Sequence, residues 1–241
     1  PLNSIKGLFE SVETGRVRFG VVPIENNQEG AVNETIEQLC LKGLKIVAEL
    51  AMPIHFSLAS NEELVGNITK IYSKDIAFRQ CKNFLRDYFG TQATLVPVSS
   101  TSMAAKKASE ELNTAALCSS IAAKLHNLPS LFQNVEDSPN NRTRFLIIGK
   151  DFFNEKSGND KTTILAKLPD SPGALAEFLL AFQSANINLC KIDSRPAKIG
   201  DKFKYWFLIE FEGHYTDQNA KNILEKYGED VILMGSYVKM C

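Results

Sequence analysis

Three short stretches carry side chains that could handle a small polar substrate. The first is Glu25-Asn26, with Gly30 close behind. It follows Val17, Phe19 and Val21, which alternate with Arg16, Arg18 and Gly20 and read as a strand running into Pro23. Ligands of open α/β sheets gather where strand ends meet helix starts. An Asn side chain offers a donor and an acceptor there; a hydrogen-bonded turn is the competing reading. The second stretch pairs Ser73 with Gln80, seven residues on. On one helix they differ by only about 20° around the axis, so both could line one polar face. A simple cap and a solvated amide would explain them equally. The third is Asn141-Arg142-Thr143-Arg144-Phe145, preceded by Glu136-Asp137. A hydroxyl beside a guanidinium at a strand start suits a small carboxylate ligand, because Arg is a permanent bidentate anion fork. A surface loop with two solvated arginines is the alternative.

Composition narrows the partners. The 27 Lys and Arg nearly balance 28 Asp and Glu, so no electrostatic case exists for nucleic acid or an anionic membrane surface. With 44% hydrophobic residues among 241, the chain can bury a core as one large or two smaller domains. No apolar stretch reaches the roughly 18 residues of a membrane span. The cysteines (Cys40, Cys81, Cys118, Cys190, Cys241) are scattered without CxxC spacing. They read as free or buried thiols of a reducing, cytoplasmic compartment. His55, His126 and His214 are equally dispersed, so neither a metal nor a cofactor is expected.

These stretches need elements to hold them. Ile5, Leu8, Phe9 and Val12 mark an amphipathic helix that Gly15 ends. Val32, Ile36 and Leu39 mark another. Strands are predicted over Leu44–Leu50, Ile54–Ala59, Ile68–Tyr72, Ala93–Val98, Ala115–Cys118 and Phe145–Ile148. Ser73 reads as the N-cap of a helix reaching Phe89, and Ser99-Ser100-Thr101 and Ser119-Ser120 as caps of two more. Strands alternating with helices indicate an α/β sheet. Residues 151–161 are polar and read as a linker. Beyond it come a strand (Thr162–Leu168), a helix (Pro172–Gln183, Pro at its first position), strands at Ile187–Ile192 and Lys204–Phe211, a helix (Asp217–Tyr227) and a strand (Val231–Val238). The order βαββαβ is the ferredoxin-like split unit.

In order and spacing these segments resemble one family. "VVPIENNQEGAV", "STSMAAKKA", "EDSPNNRTRFLIIG", "SPGALAEFL" and "INLCKIDSRP" are similar to prephenate dehydratase, over nearly the whole chain. Asn141 to Phe145 matches its most specific motif. The resemblance implies a two-lobed periplasmic-binding-protein-like catalytic domain over 1–150, its cleft the active site, and a ferredoxin-like ACT regulatory domain over 162–241. It implies conversion of prephenate to phenylpyruvate, water and carbon dioxide in L-phenylalanine biosynthesis. Asn26, Ser73, Gln80, Thr143 and Arg144 fall at catalytic positions, Glu25 and Phe145 at substrate-binding ones. Thr143 is expected to donate to the departing hydroxyl and Arg144 to fix a substrate carboxylate.

The C-terminal part resembles the family's ACT domain, with Gly173, Ala174 and Leu175 in one ligand motif and Asn188, Asp193, Ser194, Arg195 and Pro196 at the other. The implied effector is L-phenylalanine, bound between ACT domains of a homodimer or a dimer of dimers. Two departures are visible. Lys74-Asp75-Ile76 stands where the family usually has His-Pro-Gln, and Asp193 where it has Glu. The chain also starts at Pro1, without the family's Gly-rich first strand and cleft-lining loop, and a targeting peptide upstream is left open. An arogenate dehydratase and a non-catalytic amino-acid sensor stay open as alternatives.

Overall fold

The computed structural model describes residues 4–196 and 205–240. The chain forms two compact units, Pro1–Met52 with Thr143–Cys241, and Pro53–Arg142. The first unit opens with α1 (Ile5–Glu13), whose N-terminus Ser4 caps by accepting from the Gly7 N–H at 3.0 Å. β1 follows (Phe19–Asn26), then the two-residue β2 (Gly30–Ala31), α2 (Asn33–Lys42) and β3 (Lys45–Pro53). The phase of β1 is opposite to the apolar alternation of the sequence. Gly20, Val22 and Ile24 point inward, while Val17, Phe19 and Val21 are exposed. The reason lies in α1, which crosses Gly20 so closely that a Cβ there would meet Leu8 and Val12 at 3.0 Å. β1 also continues through Pro23, with a register shift between Pro23 and Glu25.

The second unit contains β4 (Ser57–Ser60), β5 (Lys70–Ser73), α3 (Asp75–Gln80), α4 (Lys82–Phe89), β6 (Thr94–Pro97), α5 (Thr101–Glu110), β7 (Thr114–Cys118), α6 (Ser120–Leu125) and β8 (Ser130–Gln133). Its sheet runs β6-β5-β7-β4-β8. One apolar cluster is built from Leu58, Ile71, Cys81, Leu85 and Leu117. In another, Ala104, Ala105, Ala108, Ala122 and Ala123 bring α5 and α6 close to the strands. Ser100 and Ser119 cap as predicted, accepting from Met103 N (3.0 Å) and Ala122 N (3.2 Å). The helix predicted from Ser73 to Phe89 is instead two helices broken at Cys81, and Ser73 is the last residue of β5. No side chain caps α3.

β9 (Arg142–Gly149) returns the chain to the first unit and lies between β1 and β3, giving the order β2-β1-β9-β3. Then come β10 (Asp160–Ala166), α7 (Ala174–Ser184), β11 (Leu189–Pro196), β12 (Tyr205–Glu212), α8 (Gln218–Tyr227) and β13 (Val231–Val238). The βαββαβ order holds, in a sheet β11-β12-β10-β13. β10 starts at Asp160, and Lys161, predicted in the linker, is buried within it. α7 starts at Ala174, with Gly173 as its left-handed cap (φ 88°), so Pro172 precedes the helix. The strand predicted from Lys204 begins at Tyr205 among the described residues; Lys204 and Cys241 lie outside them.

This sheet is covered on both faces. Phe178 and Phe182 of α7 and Ile223 of α8 pack on Ile164, Ile209 and Phe211. Leu165, Leu208, Met234 and Tyr237 join Ile46, Leu146 and Ile148 of the first sheet in one core. Gly235 permits that approach, since a Cβ there would lie 2.2 Å from the Ile46 carbonyl oxygen. Cys40, Cys81, Cys118 and Cys190 are free thiols, and burial pushes Cys40 and Cys118 up to about 11. No helix among the described residues is long and apolar enough to cross a membrane.

Candidate active site

The ladder between β1 and β9 sets Asn26 directly opposite Thr143. The Asn26 amide Nδ2 donates to Thr143 Oγ1 at 2.9 Å. Its Oδ1 accepts from the backbone N–H groups of Gln28 (2.9 Å) and Glu29 (3.1 Å), closing the turn into β2. The turn thus fixes which end of the amide meets the hydroxyl. Since Thr143 accepts from Asn26, its own proton can be donated to a further acceptor.

The next rung of the same ladder pairs Glu25 with Arg144. Side chains alternate along a strand, and here the second pair serves the face turned to the βαββαβ sheet. Arg144 is buried, 7% exposed. Its guanidinium reaches Glu25 Oε1 (Nε, 2.7 Å), Glu49 Oε2 (Nη1, 2.9 Å) and both oxygens of Glu210 (2.7 and 2.6 Å). Lys161 Nζ, also buried, contacts the Glu49 carboxylate at 2.9 and 3.0 Å. Lys191 bonds Glu25. Burial works against the charge of Arg144, yet Glu210 and Glu25 hold it above the ordinary guanidinium range. Burial also pushes the Glu49 carboxyl up, but Lys161, the Met240 N–H and Arg144 outweigh this and leave it below its usual value. Glu25 is depressed likewise: burial opposes, and Lys191 and Arg144 prevail. The structure therefore differs from the expected substrate-facing fork. The Arg144 donors are directed at three carboxylates of its own unit, and Glu25 is held by two cations.

In the second unit Ser73 is fully buried, and its hydroxyl donates to the Leu117 carbonyl of β7 at 2.5 Å. Gln80 is buried at the end of α3, where its Oε1 accepts from Asn141 Nδ2 at 3.0 Å. Ser73 and Gln80 do not share a helical face, because only Gln80 is on the helix. Asp137 sits beside this pair. Its N–H donates to the Gln80 carbonyl (2.7 Å) and its carboxylate caps α4 at Asn83 N (3.0 Å). The chain passes from one unit to the other between Arg142 and Thr143, so the Asn141–Phe145 motif contributes to both. Phe145 lies opposite Pro23 in the β1–β9 ladder.

In the βαββαβ segment Gly173, Ala174 and Leu175 form the start of α7. Asp193 and Arg195 project from one face of β11 and pair at 3.0 Å, whereas Ser194 and Pro196 are exposed. Asn188 is exposed just before β11, its carbonyl accepting from Glu212 N at 2.9 Å. The sequence reading missed Glu49, Lys161 and Glu210, and gave Asn141 a place in the motif without a role of its own. Glu49 and Glu210 did carry a signal, each being a charge with apolar neighbours on both sides inside a strand. Among the described residues no group of three or more His, Cys, Asp or Glu is placed to hold a metal ion.

A family model described as prephenate dehydratase matches residues 1–152. The chain is 39% identical over 243 residues to the bifunctional chorismate mutase/prephenate dehydratase of Pseudomonas aeruginosa, covering 99% of this chain and 66% of that protein. It thus spans just under two thirds of that relative's length. It is 37% identical over 254 residues to the prephenate dehydratase of Bacillus subtilis, covering 97% and 87% respectively. A crystal structure of prephenate dehydratase in complex with L-Phe, from Arthrobacter aurescens, matches with a TM-score of 0.89 at 32% identity, over 99% of this chain and 81% of that one. The fold class is accordingly the α/β, two-lobed periplasmic-binding-protein-like one expected from the sequence. A matching family model over more than half the chain, and a relative matched over most of both lengths, lead to one conclusion: the chain belongs to the prephenate dehydratase family.

Proposed function

We propose that this chain converts prephenate to phenylpyruvate, as a carbon–oxygen lyase. The observation that carries the reading is the Asn26–Thr143 pair, which presents a hydroxyl donor fixed by a rigid amide. Prephenate needs little more. As the carbon–carboxylate bond breaks, its electron pair enters the ring and expels the ring hydroxyl. Carbon dioxide leaves, and the departing oxygen takes up a proton to become water. Aromatisation drives both losses. Thr143 donates a hydrogen bond to the leaving oxygen, and the proton that completes the water comes from solvent. Preorganised donors aimed at developing charge are among the largest catalytic contributions. Ser73 and Gln80 keep the catalytic positions that the family resemblance gives them, and Phe145 is the packing member of the Thr-Arg-Phe motif. Arg144 contributes by holding β9, with Glu25 as its partner, in place of binding a substrate carboxylate.

The same reading makes 1–150 the catalytic domain, 151–161 the linker and 162–241 an ACT domain that binds L-phenylalanine across a homodimer or dimer of dimers. The relative solved with L-Phe supports that effector. A ligand that binds the less active state better shifts the population toward it. The test is turnover of prephenate and arogenate side by side, with phenylpyruvate and L-phenylalanine quantified, with and without added L-phenylalanine. Phenylpyruvate formed from prephenate is the expected result. Turnover of arogenate alone reassigns the substrate, and no turnover of either leaves an amino-acid sensor.

A further inference from the structure

The core between the first sheet and the βαββαβ sheet is built mainly from apolar side chains, and its charged ones gather at one end of β1 and β9. There Arg144, Lys161 and Lys191 meet Glu25, Glu49 and Glu210, three cations with three carboxylates. Charges in such a place are not needed for stability. Well-packed apolar residues of similar volume often stabilise as much or more. What ions add is direction: Glu210 holds the Arg144 guanidinium through two parallel bonds at 2.7 and 2.6 Å, which fixes its plane as well as its position.

The location decides what is directed. Glu25–Arg144 and Asn26–Thr143 are consecutive rungs of one antiparallel ladder. The first rung is gripped from behind by two strands of the other sheet, Lys191 of β11 on Glu25 and Glu210 of β12 on Arg144, while Lys161 of β10 holds Glu49, which Arg144 also contacts. The second rung carries the hydroxyl. A shift of the Arg144 side chain therefore moves the strand that aims Thr143.

We infer that Glu210 and Lys161, outside the segment that supplies the site residues, are positioning residues for the Asn26–Thr143 pair and act through Arg144 and Glu49. The inference rests on the dehydratase reading. A misplacement of about 1 Å at a reacting group can lower a rate about a hundredfold.

The test compares the whole chain with Glu210→Gln, Lys161→Met and Tyr237→Phe. Tyr237→Phe removes the Thr163–Tyr237 hydroxyl contact (2.8 Å) in the same core and keeps every charged side chain of the cluster. Turnover is measured well below each melting temperature, together with the side-chain amide NMR signals of Asn26. Glu210→Gln and Lys161→Met are expected to lower kcat about tenfold or more with KM within about threefold, and to shift the Asn26 amide signals. Tyr237→Phe is expected to lower Tm and keep kcat within about twofold. Folded Glu210→Gln with kcat within twofold of the parent overturns the inference, as does an equal loss in Tyr237→Phe. If Glu210→Gln does not fold, Lys161→Met decides by the same criteria. If the parent chain turns over nothing, the dehydratase reading fails by itself. The Asn26 signals then decide: a shift in Glu210→Gln and none in Tyr237→Phe supports the coupling, and no shift in either overturns it.

Discussion

Thr143 and Arg144 are successive residues of β9 that serve opposite faces of one sheet. Thr143 accepts the Asn26 amide at 2.9 Å, while Arg144 lies on Glu210 at 2.6 and 2.7 Å. The alternation of a strand is what turns the Thr143 hydroxyl to one face and the Arg144 guanidinium to the other.

Thr143→Val keeps the shape and removes the donor. If the hydroxyl acts in the transition state, kcat falls about a hundredfold or more while KM changes little. Thr143→Ser, which keeps an O–H, recovers a substantial part. Steady-state rates with prephenate decide, and Thr143→Val within about threefold of the parent would falsify the donor role.

Arg144→Met leaves the Glu25, Glu49 and Glu210 carboxylates without their shared cation. Breaking a buried pair from one side costs about 3–5 kcal/mol. Urea unfolding should show a loss of that size. A loss below 1 kcal/mol would mean that water reaches this cluster readily.

Acid should undo the same cluster. Glu25 and Glu49 both titrate below the usual 4.5 when folded. On lowering pH the unfolded chain takes up their protons first. Their contribution is therefore present above about pH 4.5 and is lost as pH falls through their lower folded values. Unfolding midpoints should hold between pH 7 and 5.5 and drop below 4.5, with a shallower drop in Glu49→Gln. Equal acid slopes in parent and variant would exclude Glu49 as a source.

In the second unit, Gln80→Leu takes the acceptor away from buried Asn141 Nδ2. Losing a buried hydrogen-bond partner costs about 1–3 kcal/mol. Native-state hydrogen exchange should report the loss across Pro53–Arg142. Unchanged protection there would show the pair to be dispensable.

Gly173 holds φ 88° at the start of α7, with open space where a Cβ would go. Gly173→Ala is thus disfavoured by backbone conformation and not by crowding. Calorimetric titration should show weaker L-phenylalanine binding than the parent. Identical affinity would remove this turn from the effector site.

The sequence by itself determined what is local. Ser4, Ser100 and Ser119 cap their helices because a cap needs only the next three residues. The βαββαβ order follows from periodicity, and the hydroxyl–arginine start of β9 is readable as written. Tertiary structure decided the rest, wherever the partner is distant in the chain. Gly20, and not Phe19, faces inward because α1 lies across it. The single helix predicted from Ser73 to Phe89 conceals a break, since Ala77 of α3 and Leu85 of α4 pack into one cluster with Cys81 between the two helices. Arg144 reads as an anion fork in isolation. Besides Glu25, its anions prove to be Glu49 and Glu210, 95 and 66 residues away, the first brought to it by the neighbouring strand β3 and the second by the packing of the two sheets. A charged side chain's type is written in the sequence, but whether it meets a ligand or its own protein depends on which strands the fold lays beside it.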